Sequence, residues 1–564
     1  MKTLSLALPA ILVSLFASLP AQQKLHDLMK IGEGNTWIGR NESSVANMGD
    51  LDGDGMDDLV AGARYSTSNP NLDGTVFVIS SRTNRQLAKI HGKHQSGQFG
   101  YCVENLGDVD KDGVPDFGVG SPSAPWFNNQ GGPGLAFVYS GKTRKLIRQI
   151  TPGPSFTIGF GTTMAGMGDL DGDGHADYAV AAPDSNNPGR VYVYSGKAGT
   201  LLYTIVPTEY ARKFGQGLAE LPDIDGDKIA DLAILGGPIK FSSTATHSPI
   251  WWYSGKTGKL IRRALTTPRY SSAPSLLLRS CEDLDGDKKR DVLVGWPDAR
   301  ISNFYEGEVQ AYSSGTAKLL HSYRLPTPSR NSGFGRSFDC IPDRDNDGSP
   351  EILIGDSGFL SGMSSKGAIH VFSAKSEKLI ETITTQTQQR SSVLFGQSVT
   401  ALGDLNHDGN WDFCNSIGYA SPATWWLQVF SANSLDLSTD TNSVSIFRGG
   451  KAAISIHAGA SHSGDLVMML GSASGSYPGI TVSGKKLHLN ADSYLSFTLG
   501  APHAVFFNNL SVLDANGEGG VGFVLPSGLS PALAGTILHH SCLMIGKGGL
   551  DFANIAVPLE IKLF

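Results

Sequence analysis

The sequence predicts an all-β chain: a seven-bladed β-propeller with calcium-binding strand-loop-strand motifs, followed by a small C-terminal β-sandwich. Three observations predict it. Acidic loops begin at Asp50, Asp108, Asp169, Asp223, Asp283, Asp343 and Asp404, so a unit of about 60 residues recurs seven times. Each loop is flanked by short alternating runs bounded by Gly, Pro and Asn, which is strand chemistry. The loops then stop, and the last 120 or so residues keep strand-like runs without them, Leu495 to Leu499 among these.

The first 21 residues have the form of a secretory signal. Lys2 gives a positive start, Leu4 to Leu19 is apolar, and Ala21 offers a small residue for cleavage before Gln22. Residues 22–440 form the repeat array and 441–564 a separate domain. Outside the leader, the chain lacks the ~18 consecutive apolar residues of a membrane span. The expectation is an exported, secreted or cell-surface protein, in the periplasm or outside the cell, with a monomeric propeller. With 40% hydrophobic and 17% charged residues, the composition fits neither a disordered nor a membrane chain. The five cysteines are too few and scattered for a disulfide framework. They read as buried small hydrophobes, with one disulfide left open.

One repeat reads as follows. A Phe-Gly pair comes first, as in Phe99-Gly100, Phe160-Gly161, Phe214-Gly215, Phe334-Gly335 and Phe395-Gly396; the first repeat has Ile38-Gly39 and the fifth lacks the pair. A short strand leads into the acidic loop. A second strand ends in small residues, a third in Tyr/Phe-Ser, and a Lys-rich turn precedes a fourth. Four antiparallel strands per unit, seven times, suit a propeller. A solenoid is disfavoured because the terminal repeats resemble the middle ones, whereas solenoids cap their ends. Lys24 to Ile31 resembles a fourth strand and stands before the first loop, so it is the better candidate to complete the seventh blade; Leu435 to Thr439 competes.

Each loop offers oxygen donors at positions 1, 3, 5 and 9. They are Asp50, Asp52, Asp54 and Asp58; Asp108, Asp110, Asp112 and Asp116; Asp169, Asp171, Asp173 and Asp177; Asp223, Asp225, Asp227 and Asp231; Asp283, Asp285, Asp287 and Asp291; Asp343, Asp345, Asp347 and Glu351; and Asp404, Asn406, Asp408 and Asp412. Carboxylates at such spacing repel one another unless a cation joins them. Oxygen-only ligands favour Ca²⁺ over Mg²⁺, giving up to seven sites. An EF-hand needs a Glu at position 12 between helices. Here that position holds Ala61, Val119, Val180, Ile234, Val294, Ile354 and Asn415, so a strand-loop-strand site is expected. Lys228 and Lys288 replace the position-6 Gly, and Asn406 replaces an Asp. The first and third loops should therefore bind more tightly than the fourth, fifth and seventh. Of the 52 acidic residues 27 are ligands, and seven Ca²⁺ would carry the formal charge from −7 to +7.

The Phe-Gly pair, strand ends such as Gly120-Ser121-Pro122 and Ala181-Ala182-Pro183, and the Asp-x-Asp-x-Asp-Gly-x-x-Asp loop resemble FG-GAP repeats. These build the propeller at the head of integrin α chains, and secreted bacterial proteins carry them. The resemblance covers about residues 22–440. It implies metal loops on one face and ligand-binding loops on the other. On that second face Tyr65, Trp126, Phe127, Arg300, Phe304 and Tyr305 are candidates to contact a protein or glycan, since loop aromatics suit stacking; Phe156 is a further aromatic there. The alternative is that they pack between blades. Trp251-Trp252 and Trp425-Trp426 read as core, and His539-His540 as structural. No serine-hydrolase, zinc-protease or phosphate-loop motif stands in the chain, and nothing points to nucleic acid. The reading is a non-enzymatic adhesion or ligand-recognition module. The alternatives are an extracellular enzyme acting on polysaccharide or phosphoester, which a deep axial pocket with unliganded carboxylates would favour, and a structural envelope protein.

Overall fold

The computed structural model describes residues 24–31, 45–64, 73–81, 85–94, 97–124, 132–152, 158–184, 187–209, 211–237, 239–240, 246–266, 277–297, 299, 306–327, 333–343, 348–358, 360–361, 364–365, 367–384, 395–404, 411–420, 423–430, 436–439, 443–457, 464–474, 480–482, 485–487, 489–500, 505–507, 510–514, 518–545, 552–555 and 559–564. The expected leader, residues 1–21, lies outside them. Two compact units emerge, Lys24–Ala432 and Asn433–Phe564.

The larger unit holds seven four-stranded antiparallel sheets among its described residues. The first sheet runs Val45–Asn47, Leu59–Ala63, Asp73–Ser80 and Arg85–Gly92, from inside to outside. The innermost strands of the other sheets are Val103–Gly107, Met164–Gly168, Gly217–Leu221, Leu278–Cys281, Phe334–Ile341 and Val399–Ala401. Each touches the next, and the last touches the first, as in a β-propeller. A hydrophobic core fills every seam. Val119 and Phe137 of the second sheet pack with Val76 of the first, and Leu427 and Val429 of the seventh pack with Leu59 and Phe77 of the first. Polar ties add to that last seam: Thr400 Oγ1 donates to the Val45 carbonyl at 3.3 Å, and Gly403 N to Asp57 Oδ2 at 3.2 Å.

The Phe-Gly pair has a packing reason. Phe99, Phe160, Phe214, Phe334 and Phe395 are almost wholly buried in the seams. The Gly that follows adopts positive φ, +81° at Gly100 and +83° at Gly161, which side chains with a Cβ resist. Its carbonyl presses on a Gly of the preceding sheet: a Cβ on Gly120 would lie 1.9 Å from Gly161 O, and one on Gly62 would lie 2.2 Å from Gly100 O. At these seams, and where Gly295 meets Gly335 and Gly355 meets Gly396, two glycines let adjacent sheets meet backbone to backbone.

The seventh sheet is built from both ends of the unit. Its strands are Val399–Ala401, Phe413–Ala420 and Ala423–Phe430, and Lys24–Ile31 completes it outermost, with Leu28 opposite Leu427. The competing segment goes elsewhere: Asp436–Thr439 pairs with Gly450–His457 in the second unit. Cys281 and Cys340, on the innermost strands of the fifth and sixth sheets, form a disulfide with Cα atoms 5.5 Å apart. This is the one disulfide that the cysteine count left open, and only the ring brings the pair together. Cys102, Cys414 and Cys542 are buried thiols, and burial pushes Cys102 and Cys414 up to about 12.

In the second unit two sheets enclose one core. One contains Gly450–His457 and Glu518–Leu525; the other contains Leu466–Ser472, Ile537–Ile545 and Leu559–Leu563. Ile454, Phe523, Met469, Cys542 and Ile561 meet between them. The expected strand at Leu495 to Leu499 is instead a helix, Ser493–Gly500. Asp492 caps it, accepting the Leu495 amide at 2.7 Å; a short apolar run does not by itself distinguish helix from strand. His540 is fully buried between Phe506 and Phe523 with Nε2 3.0 Å from the Tyr494 hydroxyl. Burial lowers its pKa to about 3, so it is a structural residue.

Deleting residues 22–32 removes the outer strand of the seventh sheet and should lower the propeller's melting temperature sharply in a thermal scan; an unchanged transition would contradict the closure. Reducing the Cys281–Cys340 bond with excess dithiol should cost ~2–4 kcal/mol, measured by urea unfolding with and without reductant.

Candidate metal centres

Each acidic loop joins the first two strands of a sheet. The chain wraps because its own amides point at its own carboxylates. In the first loop Asp50 Oδ1 accepts from Gly53 N at 2.6 Å and Asp54 N at 3.1 Å, Asp50 Oδ2 accepts from Gly55 N at 2.8 Å, and Asp54 Oδ1 accepts from Met56 N at 3.0 Å. Asp169 and Asp223 do the same in the third and fourth loops. This local turn chemistry is what Asp and Gly favour.

The carboxylates converge. Oxygens of Asp50, Asp52 and Asp58 lie within 4.8 Å of one another, as do those of Asp108, Asp110 and Asp116, of Asp169, Asp171 and Asp177, and of Asp283, Asp285 and Asp291. In the fourth loop the converging set is Asp223, Asp225 and Asp227. In the sixth loop Asp343 and Glu351 are described, Asp343 Oδ2 accepting from Gly348 N at 2.9 Å, while Asp345 and Asp347 fall outside the described residues. In the seventh Asp404 and Asp412 are described, and Asn406 and Asp408 are not. The candidate ligand-face residues Tyr65, Trp126, Phe127, Arg300, Phe304 and Tyr305 likewise lie outside the described residues, as does Phe156. Trp251 and Trp252 are fully buried, as a core reading expects. Trp425 and Trp426 lie in a strand.

Position 9 differs from the rest of the loop. Asp58, Asp116, Asp177, Asp231 and Asp291 are fully buried. Each carboxylate accepts two sets of backbone amides. One oxygen takes the position-2 amide of its own loop: Leu51 at 2.9 Å, Val109 at 2.8 Å, Leu170 at 2.7 Å, Ile224 at 2.8 Å and Leu284 at 2.9 Å. The other takes an amide from the turn between strands three and four: Ser81 at 3.2 Å, Gly141 at 2.9 Å, Gly196 at 2.8 Å, Gly255 at 3.0 Å and Ser314 at 2.9 Å. One side chain therefore ties the metal loop to the outer turn.

That turn is also gripped from the preceding sheet. Arg148 donates to Gly196 O at 2.8 Å, the Tyr203 hydroxyl to Gly255 O, Arg262 to Ser314 O at 2.6 Å and the Tyr323 hydroxyl to Ala374 O at 3.0 Å. The sequence reading did not find this relay. Its signal was an Arg or Tyr in the fourth strand of one repeat, in step with the Ser-Gly, Ser-Ser or Ser-Ala turn of the next. The turn lysines Lys142, Lys197, Lys256 and Lys259 are exposed.

Burial shifts the position-9 acids. Desolvation pushes Asp58 up to about 7, Asp291 to about 7 and Asp116 to about 6, against the pull of the backbone donors, with the neighbouring loop carboxylates adding to the rise. Asp177 and Asp231 are raised for the same first reason. A bound cation reverses this preference by favouring the charged form. Oxygen-only donors, three converging carboxylates and a buried acid that lacks a counter-charge fit a hard divalent ion. Position 12 is buried within the second strand at Ala61, Val119, Val180, Ile234, Val294 and Ile354, so the EF-hand geometry is absent from these loops.

Backbone strain separates the loops. Position 6 takes positive φ at Gly55 (+87°), Gly113 (+88°), Gly174 (+83°) and Gly348 (+83°), and also at Lys228 (+71°) and Lys288 (+67°). The second loop carries a further strained lysine at position 4, Lys111 with φ +63°, a departure the sequence reading overlooked.

Three outcomes are expected. Chelating calcium should lower the melting temperature at pH 7.5, each saturated site contributing ~2–3 kcal/mol. A carboxyl whose pKa folding raises stabilises the metal-free protein below pH ~4, and that stability is lost as pH rises to about 7. Calcium needs the ionised form, so its stabilising effect should shrink between pH 7.5 and 5 in paired melts; a gain that grows on acidification would contradict the assignment. Lys228→Gly and Lys288→Gly each relieve ~1 kcal/mol of strain and should tighten calcium binding in a titration, while Gly55→Lys should weaken it.

The FG-GAP repeat model matches residues 43–79 and 160–194. The chain is 30% identical over 168 residues to Integrin alpha-PS2 of Drosophila melanogaster, covering 26% of this chain and 12% of that protein. It is 31% identical over 211 residues to Integrin alpha-V of Gallus gallus, covering 34% and 19%, and 32% identical over 155 residues to Integrin alpha-8 of Homo sapiens, covering 26% and 14%. The chain spans less than a fifth of the length of these relatives. With its four-stranded sheets and acidic loops, the chain carries FG-GAP repeats in a β-propeller and has integrin α chains among its relatives.

Proposed function

We propose that this chain is a secreted or cell-surface recognition module: a seven-bladed propeller, stabilised by up to seven Ca²⁺, that holds a protein or glycan ligand, with residues 441–564 as an accessory β-sandwich. The observation that carries the reading is the use of the loudest motif. The first five acidic loops are welded into their sheets by the position-9 carboxylates, each taking backbone amides at 2.7–3.2 Å on both sides, so their metal serves rigidity. Recognition then falls to the loops at the opposite ends of the strands, which join strands two to three and four to one and are free to vary on a fixed scaffold. The Cys281–Cys340 bond supports an oxidising, extracytoplasmic setting. Among the described residues no helix is long and apolar enough to cross a membrane.

One observation favours the enzyme alternative. A cavity on the axis is lined by Glu104 and Glu220, carboxylates outside the metal loops. Glu104 is already engaged by Arg279, which suits binding better than proton transfer.

Glycan-array and surface-binding measurements, run with calcium and with chelator, test the proposal. Saturable binding lost on chelation, and lost again on joint replacement of Trp126 and Phe127 by Ala with the melting temperature kept, is the expected result. Turnover of a polysaccharide or phosphoester without such binding would favour the enzyme.

A further inference from the structure

The acidic loops leave one internal feature unexplained. A cavity of about 350 Å³ lies between the innermost strands of the second, third, fourth and fifth sheets. Aligning the repeats shows how it arises. Four residues before the first Asp of each loop stand Ala46, Glu104, Ala165, Ala219, Arg279, Asp339 and Thr400. Arg279 Nη1 lies 3.6 Å from Glu104 Oε2. The second and fifth sheets are not neighbours in the ring, so this ion pair spans its middle. The alanines of the third and fourth sheets leave the space beside it open.

Charged groups inside a core are costly unless paired or hydrated. Two of the carboxylates have partners. Glu104 has Arg279, and Asp339 accepts the Cys340 amide at 3.0 Å and the Ala401 amide at 2.8 Å. Glu220 is different. It lines the cavity, is half-buried, and has no hydrogen-bond partner among the described residues; the nearest charge that steadies it is Arg290. The cavity is also reachable: the Glu104 and Arg279 side chains keep 27% and 19% of their surface. A purely structural axis would need the strut alone, and neither the open volume nor Glu220.

We propose that the axial cavity binds a small hydroxylated amine of the amino-sugar class. Its ammonium sits on Glu220, and its hydroxyls share Glu104, Arg279 and Ser280. Glu104 is offset by Arg279 and Arg290 is shared with Glu282 at 3.6 Å, which leaves the Glu220 carboxylate as the lining charge for one ammonium to meet. The volume is at the small end of ligand pockets, ~300–1,000 Å³, so it admits a single ring and excludes a polymer chain. Donors and acceptors of both kinds line it, as polyhydroxylated ligands require. The site does not rest on recognition by the outer loops.

Calorimetric titration of the calcium-loaded full chain with glucosamine, glucose and N-acetylglucosamine at neutral pH tests this without a variant. Glucosamine should bind at least tenfold more tightly than the other two. Glu220→Gln should erase that advantage with the melting temperature kept, and Ala219→Leu, which fills the space without altering charge, should abolish binding of all three. Equal binding of glucose and glucosamine, no binding of any of the three, or full glucosamine affinity in Glu220→Gln would each overturn the proposal. Loss of outer-loop binding with the axial preference intact would instead bear on the adhesion reading.

Discussion

Everything in the propeller depends on one buried carboxylate per sheet. At position 9 of each described loop from the first to the fifth, an Asp with no exposed surface accepts an amide from its own loop and another from the turn between the outer strands. It joins the inner and outer halves of the sheet at their common end. The same placement makes its charge unwelcome, and burial raises its pKa towards neutrality. A hydrogen-bonded acid that favours its neutral form, facing two further carboxylates, is a site prepared for a divalent cation. Fold and metal are thus coupled: the bonds that hold the sheet together create the electrostatic demand that the ion meets.

The relay across the seams extends this from sheet to ring. In the third, fourth and fifth sheets the turn residue that gives its amide to the buried Asp gives its carbonyl to an Arg or Tyr of the preceding sheet. A disturbance at one loop therefore reaches the preceding sheet through a single residue. Glycines do the complementary work at the other end of the strands, where Gly100 and Gly161 bring neighbouring backbones into contact. The ring is clamped at both ends by short-range contacts that recur with the repeat.

Not every sheet is made alike, and the departures carry information. Lys228 and Lys288 occupy left-handed backbone that the other loops reserve for Gly. Their loops keep converging carboxylates, so the chain tolerates strain there. The axis departs further: a repeat that could have filled its middle with alanine instead brings Glu104, Arg279, Asp339 and Glu220 to it. The second unit departs from its own pattern at Asp492, which starts a helix where an apolar run suggested a strand.

Repeat length, strand count per unit, the oxygen-donor positions and the strained position-6 lysines could all be read from the residues. Each is a local property, set by turn chemistry and alternation within about ten residues, and repetition averages out local ambiguity. Three features could not be read so directly, because each joins residues distant in the chain. The residues favour Lys24–Ile31 over Leu435 to Thr439 for the seventh sheet, and pairing in the closed ring decides between them. Cys281 and Cys340 sit at different offsets from their loops, so the repeat alone does not pair them; contact between adjacent innermost strands does. Glu104 and Arg279 look like unremarkable strand residues in separate repeats until the ring turns them towards one another. Local chemistry determined the blade, and closure of the ring decided what meets at its seams and at its centre.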